Sequence, residues 1–537
     1  MPLLRRLAVS EVPAIRRDPV DPKAREIAEP IVEAVRVEGE PALRRYAEQF
    51  GELRPGAKLI YQRDDLKAAW DGIGDDERAC LLRTMQRIRA FAAAQKATVR
   101  EMSVQIPGGK AGHTVSPVEA AGCYAPGGRY PLPSTVLMTA TTARVAGCSR
   151  VVVASPRPTQ MTLAAAFIAE ADILIPVGGA HAIAALAYGA GPIAACDAVV
   201  GPGNMFVTAA KSLVSGRVAI DMLAGPSECL VIADDAAKPA LVAADLLAQA
   251  EHDPSALPAL ICLSDAFAEA VEKEVAQQLA VLPTSEIASQ SLKNGYTVVV
   301  PTIDAAAELS DRLAVEHVEL HTEDHMELMH KLKHYGGLFV GEGAAEVLGD
   351  YGAGPNHTLP TGGTARSYGG LSVFTFLRVR TWMSVDDATE AYEMVSDGVR
   401  LGEMEGLLGH AHAAKLRLRE PCGGVIAPRV APNICTKSMN MQRERLHIAI
   451  PKKGRMSEKC VKFLEAAGLE YTRCFFPLTS PFFPAHFPHM SHPPLSPYTT
   501  GIPFGIHQTR PRRCGPRDES ADHDRLPARG GHCKVRW

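Results

Sequence analysis

Two hydrophobic patterns divide the chain. Residues 20–105 read mostly as helix: in Ala24–Phe50 and Asp75–Val99 apolar residues recur at helical spacing and charges fill the opposite face. After that, short β-branched runs alternate with Ala/Leu-rich helical segments. The runs are Val151–Ala154, Ala198–Val200, Leu230–Ala233, Leu260–Leu263, Thr297–Val300 and Leu338–Val340. Between them lie Met161–Ala171, Ala180–Ala187, Pro239–His252 and Asp265–Leu279. Alternating strand and helix predicts an α/β fold with a doubly wound sheet. The span 386–418 returns to helix. Composition then shifts: 419–444, with PCGG and two further prolines, reads as a linker. A strand–loop–helix pattern follows in 445–473. The 64 residues from Cys474 to Trp537 hold 11 of the 40 prolines and 6 of the 18 histidines. They show no strand or helix period, so a disordered tail is expected.

Composition narrows the function classes. A chain of 537 residues, 46% hydrophobic and 22% charged, is long enough for a large core. Its formal charge of −3 supplies no basic field for a nucleic-acid backbone, and no apolar run is long enough to span a bilayer. The N-terminus MPLLRRLAVSEVPAIRR has arginines but also Glu11, and lacks an apolar h-region. That favours the cytoplasm, or an organelle such as a plastid if a targeting segment precedes this chain. The 12 cysteines are scattered and no pair has CxxC spacing. Reduced, buried thiols are expected rather than a cysteine zinc site.

Candidate chemistry lies in four polar clusters. In DLLAQAEH, Asp245, Gln249 and His252 stand at i, i+4 and i+7 and share one helix face, where an amide oxygen and an imidazole nitrogen can reach a metal. The same spacing also describes the wet face of an ordinary amphipathic helix. Glu316 and His317, in AVEHVEL, are adjacent and point different ways, so they can serve different steps: a carboxylate activating water and an imidazole taking a proton. Alone, the dipeptide is equally a surface pair. DYGAGPNH carries Asp350 and His357 at the ends of a Gly-rich loop, and EGLLGHAH carries Glu405, His410 and His412. Gly-rich segments at 123–136, 176–191, 200–211 and 224–228 follow predicted strands, where backbone N–H groups can meet a dinucleotide phosphate. None is a GxGxxG, so they read as ligand loops and not specifically as NAD loops.

YAPGG, LPSTVLM, VGGAHAIAALAYG, VGPGN, AIDMLAGPSE, LLAQAEHDP, VEHVEL, GDYGAGPNHTLPT and EGLLGHAHAA follow one another in this order. Together they make residues 15–418 resemble the histidinol dehydrogenase family. The resemblance implies two Rossmann-like doubly wound α/β domains with helical N- and C-terminal extensions (15–105 and 386–418) around an α/β core at 106–385. It implies one zinc per subunit, held by Gln249, His252, Asp350 and His410, with His410 donated by the other subunit of a homodimer that shares its active sites. Glu316 and His317 match the catalytic pair. Ser227, Gln249, His252, His317, Asp350, Glu405 and His410 match contacts to L-histidinol, and Tyr124, His181 and Asn204 match contacts to NAD. The role of His357 is left open. The implied reaction oxidises histidinol to histidine through the aldehyde with two NAD, with no nucleic-acid or membrane partner.

Two departures from the family pattern stand out. His181 occupies a position where the family has glutamine, and an imidazole offers a different donor set and reach from an amide. The stretch around Pro258 is also atypical. The alternatives are a binding or assembly paralogue impaired through His181, a phosphoribosyltransferase function from the C-terminus, and an aldehyde dehydrogenase using a cysteine such as Cys262. Separately, RLHIAIPKKGRMSEKCVKFLEAAGLEY resembles the opening strand and helix of ATP phosphoribosyltransferase. Without the rest of that fold, 445–473 reads as a truncated, inactive segment.

Overall fold

The computed structural model describes residues 3–12, 18–127 and 130–418. The expected linker (419–444), phosphoribosyltransferase-like segment (445–473) and tail (474–537) lie outside the described residues. In chain order the strands are β1 (Arg5–Arg6), β2 (Tyr61–Gln62), β3 (Met102–Ile106), β4 (Gly109–Pro117), β5 (Ala120–Tyr124), β6 (Arg150–Ala154), β7 (Ile173–Ile175) and β8 (Ala198–Val200). They continue with β9 (Ala219–Ile220), β10 (Glu228–Ala233), β11 (Leu257–Cys262), β12 (Tyr296–Val299), β13 (His317–His321), β14 (Gly337–Val340) and β15 (Leu377–Val385). The fold is α/β. One six-stranded sheet has the order β2-β7-β6-β5-β8-β9 and is parallel except at β2. The other runs β1-β12-β11-β10-β13-β14 and is parallel throughout.

The apolar runs are continuous because both faces of each sheet are covered. Val151 and Val153 of β6 enter one core while Val152 and Ala154 enter another. In β10, Leu230 and Ile232 face one side and Cys229, Val231 and Ala233 the other. The helix Pro239–His252 lays Val242, Ala243, Leu246, Leu247 and Ala250 on that second face. It returns from the end of β10 to the start of β11. Its last turn therefore stands over the beginnings of β10 and β13.

The N-terminal region is helical as expected, in Pro22–Glu38, Glu40–Gln49, Arg63–Asp71 and Asp75–Ala97. A third, antiparallel sheet, β15-β4-β3, was not anticipated. Leu377 of β15 pairs with Pro117 of β4, so the strand's partner lies far upstream, and most of β15 is exposed. Pro258 has a physical account. The Leu257 N–H donates to Ser227 O on the β10 side, so the next residue's nitrogen faces β12. Pairing with β12 begins only at Ala259, and a missing donor at Pro258 costs the ladder nothing.

Beneath the VGPGN loop lies a buried ion pair. Lys211 Nζ donates to Asp221 Oδ1 and, at 2.9 Å, to Gly201 O. Asp221 also accepts from the N–H of Gly201 (2.8 Å) and of Met222 (2.8 Å). Gly201 has φ +117°, and a Cβ there would stand 2.0 Å from Tyr124 O, so no larger residue fits. Among the described residues no helix is long and apolar enough to cross a membrane.

Lys211→Met would leave Asp221 buried without its cation. We expect it to destabilise the chain by about 3–5 kcal/mol. Lys331→Met, which removes solvent-exposed pairs with Asp304 and Glu327, should shift the unfolding midpoint far less. Chemical denaturation of both variants checks this, and equal shifts would contradict it.

Candidate active site

The site gathers at the amino ends of β10 and β13. Cys229 is in register with His317, so Glu228, just before that pair, lies beside both Glu316 and His317. The Glu228 N–H donates to Glu316 Oε2 at 3.0 Å, and His317 Nδ1 donates to the Glu228 carbonyl at 3.0 Å. Glu316 Oε2 and His317 Nδ1 are 3.6 Å apart. The two side chains thus converge on one residue's backbone instead of diverging as their adjacency predicts. A carbonyl only accepts, so Nδ1 carries the hydrogen and the lone pair of neutral His317 sits on Nε2. That atom is buried and has no hydrogen-bond partner. Burial pushes His317 down to about 4, against the pull of Asp350 and of the Glu228 carbonyl. Burial pushes Glu316 well above the usual carboxyl range, while the Glu228 N–H and the Ser227 hydroxyl work against it. Burial thus keeps the imidazole uncharged and makes Glu316 hold a proton more tightly than a free carboxyl does, a pair suited to proton transfer.

A possible metal centre adjoins this pair. His252 Nε2 is 3.4 Å from Asp350 Oδ2 and 3.6 Å from Glu346 Oε1, and the three ligand atoms lie within 4.8 Å of one another. Glu346 Oε1 in turn stands 3.9 Å from His317 Nδ1. Gln249, one turn before His252, is fully buried and neither amide atom has a hydrogen-bond partner. Both carboxylate oxygens of Glu346 are likewise buried and unpartnered. Unpaired polar atoms at such depth are costly, and a cation there would satisfy the oxygens among them. Burial opposes charge on His252, yet the Asp350 carboxylate 3.4 Å away outweighs it and holds the imidazole above its ordinary value. Burial likewise pushes Asp350 up, but the neighbouring His252, His357 and His317 outweigh it and leave it lowered.

Glu346 went unnoticed at the level of sequence. Its signal is position: the short helix Glu346–Asp350 places it four residues before Asp350, on the same face. His357 acquires a structural part. Its Nδ1 donates to Asp350 O at 3.0 Å and its Nε2 is 3.1 Å from Thr135 Oγ1, pinning the Gly-rich loop that carries Asp350.

The residues expected on the cofactor side lie at the carboxyl ends of the other sheet's strands. Tyr124 ends β5 and is buried, and its hydroxyl accepts from the Gly179 N–H at 3.3 Å. Asn204 is exposed and caps the helix Met205–Val214, accepting from Phe206 and Val207 N–H at 3.1 Å. His181 is buried, with Nε2 2.8 Å from Glu52 Oε2, and the same oxygen accepts from the Gly178 N–H at 3.0 Å. Phe50 stacks on its ring at 5.5 Å. His181 is thus engaged within the protein.

Glu405 and His410 are exposed and stand apart. Among the described residues, neither side chain makes a hydrogen bond or ion pair with the cluster. Cys262 is buried in β11 and burial pushes its thiol to about 11, unsuited to nucleophilic attack.

A family model described as histidinol dehydrogenase matches residues 15–418. The chain is 44% identical over 400 residues to the histidinol dehydrogenase of Thermus thermophilus, covering 74% of this chain and 95% of that protein. It is 42% identical over 395 residues to that of Parasynechococcus marenigrum, covering 72% and 90%. The crystal structure of histidinol dehydrogenase from Elizabethkingia anophelis superposes with a TM-score of 0.73 at 31% identity, covering 78% of this chain and 98% of that one.

The buried His181–Glu52 contact yields a test. His181→Ala should destabilise the chain by roughly 1–3 kcal/mol, because Glu52 keeps only the Gly178 N–H. Denaturation midpoints of His181→Ala and His181→Gln measure it. If His181→Ala leaves the midpoint unchanged, the contact does not hold the loop.

Proposed function

The chain belongs to the histidinol dehydrogenase family, and on that footing we propose how its own residues divide the work. The enzyme is an NAD-dependent oxidoreductase of histidine biosynthesis that converts L-histidinol to L-histidine, and its family uses zinc and NAD. The reading of its site rests on one observation above others: His252, Glu346 and Asp350 converge within 4.8 Å, and Glu346 Oε1 stands 3.9 Å from the ring of His317, whose Nε2 makes no hydrogen bond.

In this reading Gln249, His252 and Asp350 would hold the zinc from one chain. Bound there, zinc would supply a charge anchor for the substrate's amine and imidazole, and two NAD, one per oxidation, would each take one hydride. His317 Nε2 receives the hydroxyl proton during alcohol oxidation. Glu316 removes a proton from the water that adds to the aldehyde, giving the hydrate for the second oxidation. Ser227 orients Glu316 through its hydroxyl, and Glu346 closes the space between His317 and the metal ligands. A substrate held at two nitrogens keeps its reactive aldehyde in place between the steps.

Glu405 and His410 reach the partner's site in a homodimer. This is supported by the exposed apolar residues around them, Leu401, Met404, Leu407 and Leu408, a surface that water alone leaves unfavourably placed. Both six-stranded sheets are read as Rossmann-like doubly wound units, flanked by the helical spans 15–105 and 386–418. NAD meets the loops after β5, β7 and β8, next to Tyr124 and Asn204. His181 acts on that loop through Glu52, so the departure from glutamine does not reduce the chain to a non-catalytic paralogue. The resemblance of 445–473 to ATP phosphoribosyltransferase carries no activity here.

Two outcomes follow. His252→Ala and Asp350→Ala should each lose zinc, by metal analysis, and lose NADH formation from histidinol. Full zinc occupancy in both would overturn the ligand assignment. Glu316→Gln should slow the aldehyde-to-acid half by roughly 10²–10⁴-fold and the alcohol oxidation much less. Supplying the aldehyde directly separates the halves, and equal losses in both would contradict the division of roles.

A further inference from the structure

One turn before Gln249, the same helix carries Asp245. Across from it lie Glu319 and His321 of β13, two and four residues beyond His317 and on the same strand face. His321 Nε2 is 3.4 Å from Asp245 Oδ2 and 3.4 Å from Glu319 Oε2, and all three ligand atoms fall within 4.8 Å. Glu319 and His321 are essentially inaccessible. Glu319 Oε2 and both ring nitrogens of His321 lack a hydrogen-bond partner. Asp245 is the more open member, on the side from which an ion would enter.

The spacing is informative. A hydrogen bond between imidazole and carboxylate closes to about 2.8 Å. Ligands about 2.1 Å from a tetrahedral ion stand about 3.4 Å apart. Both His321 contacts have the second spacing, which is also the His252–Asp350 spacing. Charge agrees. A neutral imidazole and two carboxylates balance a dication; without one, burial pushes His321 down but the Asp245 and Glu319 carboxylates outweigh it and hold it up to about 9, so a proton is what the ion would displace. Support from outside the ligand set is present as well: Glu319 Oε1 accepts from the Glu346 N–H at 2.6 Å, fixing the carboxylate and leaving Oε2 for an ion.

We propose that Asp245, Glu319 and His321 form a second divalent-cation site, with the N/O donor set that zinc accepts, separate from the one served by His252 and Asp350. The helix Pro239–His252 and β13 contribute to both, so the second ion braces the helix against the strand that carries His317. It takes no part in the chemistry.

The test is a metal count on the full chain equilibrated with zinc, before and after substitution. His321→Gln and Asp245→Asn should each hold one ion fewer than the unmodified chain, and His252→Ala should also lose one. His321→Gln combined with His252→Ala should lose two. Because the count is read as a difference, the histidines of 474–537 contribute equally to every sample. Thermal unfolding with and without zinc gives a second readout: zinc should raise the midpoint of His252→Ala, and no longer that of the double variant. Should His321→Gln fail to fold, Asp245→Asn gives the same comparison. An unchanged count in His321→Gln and Asp245→Asn, with an ion lost only in His252→Ala, would overturn the site. The three groups would then be a protonated histidine between two carboxylates.

Discussion

The backbone of Glu228 is the fixed point of this molecule's chemistry. Its N–H holds the Glu316 carboxylate, its C=O holds the His317 imidazole, and its side chain accepts from the Gly362 N–H at 3.1 Å. The residue opens β10, which lies between β11 and β13 and is hydrogen-bonded to both. Main-chain groups offer no rotamers, so the two candidate bases inherit the rigidity of the sheet. A slip of one residue between β10 and β13 would turn His317 to the opposite face and undo the pair.

That anchoring gives the two sheets different duties. In the β5–β9 sheet the loops with the chemistry-bearing residues follow the strands' carboxyl ends, where open α/β sheets commonly receive ligands. In the β10–β14 sheet the polar cluster stands at the amino ends, supplied by the last turn of a returning helix and by the start of β13. The segment from Asp221 to Ser227 joins one arrangement to the other. It is tied down by Lys211 beneath it and by the Thr361 hydroxyl, which accepts from the Gly225 N–H at 2.6 Å.

What could be read along the chain was what repeats locally. Strands buried on both faces announce themselves as apolar runs, and Pro239–His252 announced both its length and its polar face. The adjacency of Glu316 and His317 drew attention to the two candidate bases but misjudged their directions, because the shared partner, Glu228, lies 88 and 89 residues away. Long-range matches were equally hidden: His181 meets Glu52 at a separation of 129 residues. The β15 strand, LRVRTWMSV, opens by alternating apolar and charged residues, yet nothing local in it names β4 as its partner. Glu346 sits among ordinary surface-like neighbours, AAEVLGD, and only the folded loop brings it beneath His252.

Strand β13 sends only Val318 and Leu320 into a hydrophobic core. Its other three residues, His317, Glu319 and His321, occupy buried positions that apolar side chains would fill more favourably. The strand that carries the candidate site is thus a debtor to the fold, held in place by its neighbours' ladders. Variants selected for thermal resistance alone would drift toward apolar residues at these three places. Stability and activity pull in opposite directions there, along a single strand face.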